Sequence, residues 1–272
     1  MLPSFDNQRT SNIGVAVPAS EPTNSHFADQ VVIVTGAGSG IGRATAAAFA
    51  NAGAHVLGVG RRPDALAGSA AQHPAIESFP IDVTQDDAPE AIVQAALDRW
   101  ARIDVLVNNA GVFAAMPLAQ ATATGITQLL AVNVLAPSLL ASAALPHLKA
   151  SRGAIVNVSS TFGHRPAAGA GHYGASKAAL EQLTRSWALE LAPDGIRVNA
   201  VAPGPTESEA LIAAGLPDTV IDQIKAGEEA RIPLGRRGDP TEIAAWIQRL
   251  ADSHTAWLTG QVLTIDGGLE LT

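Results

Sequence analysis

From Val31 onward the chain alternates two hydrophobic patterns. Short, mostly apolar runs occur at Val31–Thr35, Val56–Val59, Ile76–Ile81, Ile103–Val107, Ala154–Val158, Ile196–Val201 and Val262–Ile265. Longer Ala- and Leu-rich stretches with helical spacing separate them. A strand apolar at consecutive positions is covered on both faces, as in a parallel sheet. Alternation with helices therefore predicts an α/β fold, a doubly wound parallel sheet of about seven strands of the Rossmann type, built by right-handed crossovers. Neither a second composition regime nor a fixed-period repeat breaks the pattern, so one domain is expected over residues 29–272. Residues 1–28 are rich in Ser, Asn, Pro and Thr without periodicity and read as a mobile extension.

Composition narrows the class. The chain has 272 residues, 47% hydrophobic and 15% charged, which fits a folded globular protein rather than a disordered one. A formal net charge of −8 argues against nucleic-acid or anionic-membrane partners, both of which need a positive surface. The absence of cysteine excludes disulfides and thiolate metal sites and suits a cytoplasmic location. No apolar run reaches the roughly 18 residues that would mark a membrane span, so none is expected. The N-terminus lacks the basic start and apolar stretch of a secretory signal. No His/Asp/Glu spacing marks a metal site, so none is expected.

The first chemical signal follows the first strand directly: Thr35-Gly36-Ala37-Gly38-Ser39-Gly40-Ile41-Gly42, with a helix predicted from about Ile41 to Asn51. Glycines let the backbone turn tightly and approach a ligand, and a helix N-terminus offers free N–H groups and a positive dipole end to a pyrophosphate. The strand-before, helix-after context distinguishes this string from an ordinary flexible turn.

Tyr173, the only tyrosine, and Lys177 stand four apart on a predicted helix and share one face. A nearby ammonium favours the phenolate and lowers the pKa from its ordinary value of about 10. Such a tyrosine can exchange a proton with an alcohol or carbonyl oxygen. Without the glycine-rich turn, the pair would read as surface decoration.

Four strings in order carry a resemblance: the TGxxxGxG turn, Asn108-Asn109-Ala110-Gly111, Tyr173-Gly174-Ala175-Ser176-Lys177 and Pro203-Gly204. Together they resemble the short-chain dehydrogenase/reductase family. The resemblance implies a nicotinamide cofactor held by Gly36, Ser39, Gly40, Ile41, Gly42, Asp82, Val83, Asn109, Ala110, Gly111, Pro203, Gly204 and Thr206, with Tyr173 and Lys177 beside it. It implies Ser160 as the hydrogen-bond partner of the substrate oxygen, with neighbouring Ser159 as the alternative. It also implies Asn133 as the holder of a water linking the lysine to solvent. In relatives that prefer NAD, a carboxylate at the end of the second strand accepts the ribose 2′-OH. Gly60 stands there in this chain, and Arg61 follows, suited to a 2′-phosphate. NADP(H) is therefore favoured over NAD(H), although the basic residue that many NADP-preferring relatives carry in the turn is Ser39 here.

The substrate is expected to be a small alcohol or carbonyl compound. Phe113, Phe162, His164 and Leu211 are candidate pocket residues, and the segment after Gly204 is a candidate lid. The resemblance also implies a homotetramer or homodimer joined through helices around residues 122–149 and 171–192. Two other readings compete with a carbonyl reductase or alcohol dehydrogenase: an epimerase or dehydratase of the extended type, and a non-catalytic nucleotide sensor. The chain ends soon after the last strand, and a sensor has little use for Asn133, Ser160, Tyr173 and Lys177 together.

Overall fold

The computed structural model describes residues 26–208 and 217–272. Its seven strands are β1 (Val31–Thr35), β2 (His55–Gly60), β3 (Ile76–Pro80), β4 (Val105–Asn108), β5 (Ala154–Val158), β6 (Arg197–Pro203) and β7 (Val262–Ile265). They form one all-parallel sheet in the order β3-β2-β1-β4-β5-β6-β7. The helices are α1 (Gly40–Asn51), α2 (Pro63–Ala70), α3 (Ala88–Trp100), α4 (Ala123–Leu130), α5 (Ala136–Ser151), α6 (Gly171–Leu191), α7 (Asp218–Glu229) and α8 (Pro240–Ala251).

The uniformly apolar strands explain the layering. Alternate residues of one strand feed two separate cores. Val32, Val34, Val56, Val107 and Val156 pack beneath Phe49 of α1 and Ile243, Ile247 and Leu250 of α8. Val31, Ile33, Leu57, Leu106 and Ile155 pack against Ile92 and Ala96 of α3 and Leu140 and Leu148 of α5. Burying each such side chain is worth about 1.5–3 kcal/mol, so a one-residue slip that exchanged the faces would misplace every one of them.

Three differences from the sequence pattern have local causes. β4 begins at Val105 rather than Ile103. Asp104 turns its carboxylate inward to accept the Val31 N–H at 2.8 Å and takes a bidentate bond from Arg102, which holds the preceding link out of the strand. Phe27, assigned by sequence to the extension, is buried edge-on against Phe49, so the packed body begins before Asp29. The helical run Ala123–Ser151 is long and apolar enough to cross a membrane by length and composition, with a mean hydropathy of 1.8. Its α5 portion lies on the sheet through Leu140, Ala144 and Leu148, while Leu130, Leu135 and Leu139 face outward.

Parallel strands place all their C-terminal ends on one edge. The order reverses between β1 and β4, and the crevice beyond that switch point is where such sheets take a ligand.

Candidate active site

The glycine-rich turn leaves β1 at this switch point. Gly36 and Gly40 have φ of +69° and +49°, a region that disfavours any residue with a Cβ. A Cβ at Gly42 would collide with the Gly36 carbonyl, and one at Gly36 would stand 2.7 Å from Asn109 Nδ2. Thr35 Oγ1 accepts the N–H groups of Asn109 and Ala110, both at 3.0 Å, and Asn109 Nδ2 donates to the Thr35 carbonyl at 2.8 Å. The end of β4 therefore stitches the turn open. Ser39 is the N-cap of α1 and makes no capping hydrogen bond with its side chain. Ile41 lies half-buried in the first turn of α1. Arg43, not singled out by sequence, braces the turn from beneath through the Gly38 carbonyl and Ser69 Oγ.

At the end of β2, Arg61 is largely exposed with Nη1 3.9 Å from Asp82 Oδ2. Burial pushes the Asp82 carboxyl up, but hydrogen bonds from Thr84 and the Arg61 charge outweigh it and hold it below the usual range. Val83 lines a small cavity with Thr35, Ala110 and Val132. A cradle that any Cβ would fill, an open helix N-terminus and an anionic Asp82 fit a dinucleotide.

Ser160 lies two residues beyond β5, capping a short 3-10 turn (Thr161–Gly163), and α6 carries Tyr173 and Lys177. The Ser160 side chain adjoins the Tyr173 phenol and favours its ionised form. Ser159 faces the other way: its Oγ donates to Glu181 Oε1 at 2.9 Å. Of the two serines, only Ser160 meets the tyrosine. Lys177 is buried, donates from Nζ to the Val158 carbonyl at 2.8 Å, and has Nζ 5.9 Å from the Tyr173 ring centre. Burial lowers its pKa to about 8, so it remains mostly protonated at neutral pH.

The phenol behaves differently from the sequence expectation. Burial raises the Tyr173 pKa above 10, and the Ser160 side chain opposes this only in part. Lys177 lies toward the ring and its Nζ is engaged by Val158, so the i,i+4 ammonium does not by itself bring the phenol into the neutral range.

Asn133 occupies a π-helical turn, Ala131–Leu135, between α4 and α5, and is buried. Single π turns of this kind concentrate at functional sites. Its Oδ1 accepts from Val112 N at 2.9 Å, and its Nδ2 donates to Val112 O and Ser176 Oγ, each at 3.0 Å. The side chain thus clamps the strand-end segment to α6. Gly111 closes the same corner: a Cβ there would stand 3.2 Å from Lys177 Nζ.

Phe113 and Phe162 place their rings edge-on to Tyr173, with centroids at 5.0 and 6.5 Å. Leu211 lies outside the described residues. Gly204 of the β6 loop is pressed against Asp266, and Thr206 Oγ1 donates to the Gly204 carbonyl at 3.0 Å. Thr206 O in turn accepts from buried Arg237, which also pairs with Glu207 at 2.7 Å. Pro203 ends β6 beside them.

His164 lines a cavity with Phe162 and Gly174, and two carboxylates hold its ring. Its Nδ1 meets Glu181 Oε1 at 3.0 Å and its Nε2 meets Glu270 Oε2 at 2.8 Å. Glu181 is buried, and sequence reasoning missed it because its partners Ser159 and His164 come from a different segment. Burial lowers the His164 pKa, but the hydrogen bonds and charges of Glu181 and Glu270 outweigh this and raise it. A raised folded value stabilises fully below the unfolded pKa, about 6.5, and that stability is lost as pH rises through the folded value. Melting temperature is expected to fall across that window in the native protein and to flatten in His164→Gln. Parallel curves for the two proteins would refute the assignment.

A dinucleotide cradle at the switch point, joined to a Ser/Tyr/Lys group at the next strand end, defines a nicotinamide-dependent oxidoreductase of CH–OH groups. Comparisons with known proteins agree. A family model described as Enoyl-(Acyl carrier protein) reductase matches residues 36–270. The 3-oxoacyl-[acyl-carrier-protein] reductase FabG of Thermotoga maritima is 39% identical over 247 residues, covering 88% of this chain and 97% of that protein. L-fucose dehydrogenase of Bos taurus is 37% identical, covering 91% and 92%. A crystal structure of a short-chain dehydrogenase/reductase from Caenorhabditis elegans, of unknown function and with cofactor, superposes with a TM-score of 0.84 at 37% identity, covering 91% of this chain and 97% of that one. The chain belongs to the short-chain dehydrogenase/reductase family.

Proposed function

We propose that the protein interconverts an alcohol and its carbonyl compound using NADP(H) in preference to NAD(H), with Tyr173 as the general acid/base. The observation that carries this is the meeting of Ser160, Tyr173 and Lys177 at one edge, beside the glycine cradle. Bound in the crevice, the nicotinamide dinucleotide supplies or accepts the hydride. Tyr173 Oη gives a proton to the carbonyl oxygen in reduction and takes it back in oxidation. Ser160 holds that oxygen and stabilises its developing charge. Lys177 would hold the ribose hydroxyls of the bound cofactor, and its ammonium faces the tyrosine ring. Asn133 positions this corner by clamping the Val112 backbone. Phe113 and Phe162 form the apolar wall of the substrate pocket.

The NADP(H) preference rests on Gly60 and Arg61. Nothing anionic stands at Gly60, and the Arg61 side chain is exposed and loosely paired. A Cβ at Gly60 would stand 3.5 Å from Leu66 Cδ2, an ordinary contact, so Gly60→Asp is expected to fold. The new carboxylate would repel a 2′-phosphate and accept a 2′-OH. Fluorescence titration is expected to show tighter NADPH than NADH binding in the native protein, with a shift of about 30-fold toward NADH in Gly60→Asp. Equal or tighter NADH binding by the native protein would remove the preference. A panel of ketones with NADPH then tests the activity itself, and no turnover despite tight cofactor binding would favour the sensor reading.

The outward leucines Leu130, Leu135 and Leu139 support assembly through α4–α5, with Leu189 exposed on α6. We propose a homotetramer or homodimer joined there. The cysteine-free composition suits the cytoplasm.

A further inference from the structure

The fold gathers three ligand-bearing side chains that sequence spacing keeps far apart. His26 precedes β1, while Asp252 and His254 lie between α8 and β7. His26 Nδ1 stands 3.3 Å from His254 Nδ1 and 3.5 Å from Asp252 Oδ2. One ligand atom from each of the three residues lies within 4.8 Å of the other two. Two ligands on a tetrahedral zinc ion, each about 2.0–2.1 Å from the metal, stand about 3.3–3.4 Å apart.

The three side chains converge through their ligand atoms. His254 Nδ1 is 2.8 Å from Asp252 Oδ1, so its proton goes to the carboxylate. His26 Nδ1 turns to the same point, 3.3 Å from His254 Nδ1 and 3.5 Å from Asp252 Oδ2, so both imidazoles and the carboxylate aim their ligand atoms at one spot. A cation among the three engages all of them at once, with both imidazoles deprotonated at Nδ1. The rings meet edge-on at 72° rather than stacking, so the nitrogens, not the faces, converge.

The scaffold is already fixed. Asp252 Oδ1 accepts the His254 N–H at 2.8 Å, and the Asp252 carbonyl accepts from Arg197 at 3.0 Å. On the other side, Phe27 is locked beneath His26 by its burial against Phe49. Oδ2 is left facing His26.

We propose that His26, Asp252 and His254 form a binding site for a divalent transition-metal ion of the zinc type, which staples the chain entering β1 to the link between α8 and β7. Two imidazoles and one carboxylate suit zinc, cobalt or nickel; magnesium and calcium prefer all-oxygen sites. Three protein ligands leave one position to water. All strands are parallel, and the cluster sits at their N-terminal edge, opposite Ser160 and the glycine cradle. The role is therefore structural.

Calorimetric titration of metal-stripped full-length protein with Zn²⁺, and visible absorption with Co²⁺, test the site. One Zn²⁺ per chain is expected. At about 100 times its Kd, the melting temperature should rise by roughly 5 °C. His26→Gln and His254→Gln should each weaken binding by at least about 30-fold and lose that rise, while His147→Gln on α5 should not. Melting of each variant in EDTA at the native temperature shows that it still folds. Mg²⁺ should produce no shift, and kcat should not follow the metal. Millimolar-only Zn²⁺ binding, or binding unchanged in both variants, would overturn the site; a kcat that tracks the metal would overturn its structural role.

Discussion

Tyr173→Phe is expected to lower kcat by at least about 10³-fold while changing cofactor affinity less than about threefold. The ring does structural work that phenylalanine keeps: it packs edge-on against Phe113 and Phe162, and Lys177 Nζ lies 5.9 Å from its centre. What is lost is the hydroxyl that meets Ser160. Because burial holds this phenol above its ordinary pKa, it is a neutral proton donor at pH 7. Reduction should therefore run level through neutral pH and decline only in alkali, whereas oxidation should rise with pH as the hydroxyl becomes able to give up its proton. A variant that kept more than a tenth of native turnover would show that the proton comes from elsewhere. If tyrosine and cofactor act together, the oxidation limb of the native pH profile should also sit below the pKa of the tyrosine alone, since a cationic nicotinamide favours the phenolate.

Much of this was legible along the chain, for identifiable reasons. Strands covered on both faces must be apolar at successive positions, so β1 and β5 could be bounded to the residue. The glycine turn was legible because backbone geometry permits few substitutes: Gly36 and Gly40 need positive φ, and Gly42 has no room for a Cβ. Tyr173 and Lys177 were legible because i,i+4 spacing on a helix is a local property.

Features that depend on distant partners were not. Asn133 was singled out through the family resemblance alone, and no residue pattern announces the π turn that aims it at Val112 and Ser176. Glu181 reads as a surface charge on α6, yet it is buried because Ser159 and His164 reach it across the β5–α6 connection. His164 follows a catalytic strand end, where substrate contact is the natural expectation. Its ring is also held by two carboxylates from distant positions, Glu181 and Glu270, which no local pattern announces. The His26–Asp252–His254 cluster joins positions 228 residues apart, beyond any spacing rule.

Lys177→Met is expected to remove nearly all activity, by at least about 10³-fold, and yet to make the protein more stable at pH 7. The sign follows from burial. The lysine pKa falls from its ordinary 10.5 to about 8 in the folded protein, so at neutral pH a charge is held where folding disfavours it. The cost is about 3 kcal/mol and is fully present below pH 8; it fades as pH rises toward the unfolded value, because the unfolded chain then also gives up the proton. Methionine fills similar volume without the charge, but leaves the Val158 carbonyl without the donor it now has at 2.8 Å, a loss of about 1 kcal/mol. The balance is a net gain of roughly 1–2 kcal/mol at pH 7, or a melting temperature higher by several degrees, shrinking toward zero near pH 10. Denaturant melts of both proteins across that pH range check it. A variant less stable than the native protein at pH 7 would mean that Lys177 is held there by favourable interactions rather than retained against a cost. In that event the family's demand for a cation beside the tyrosine would not explain why this chain buries one.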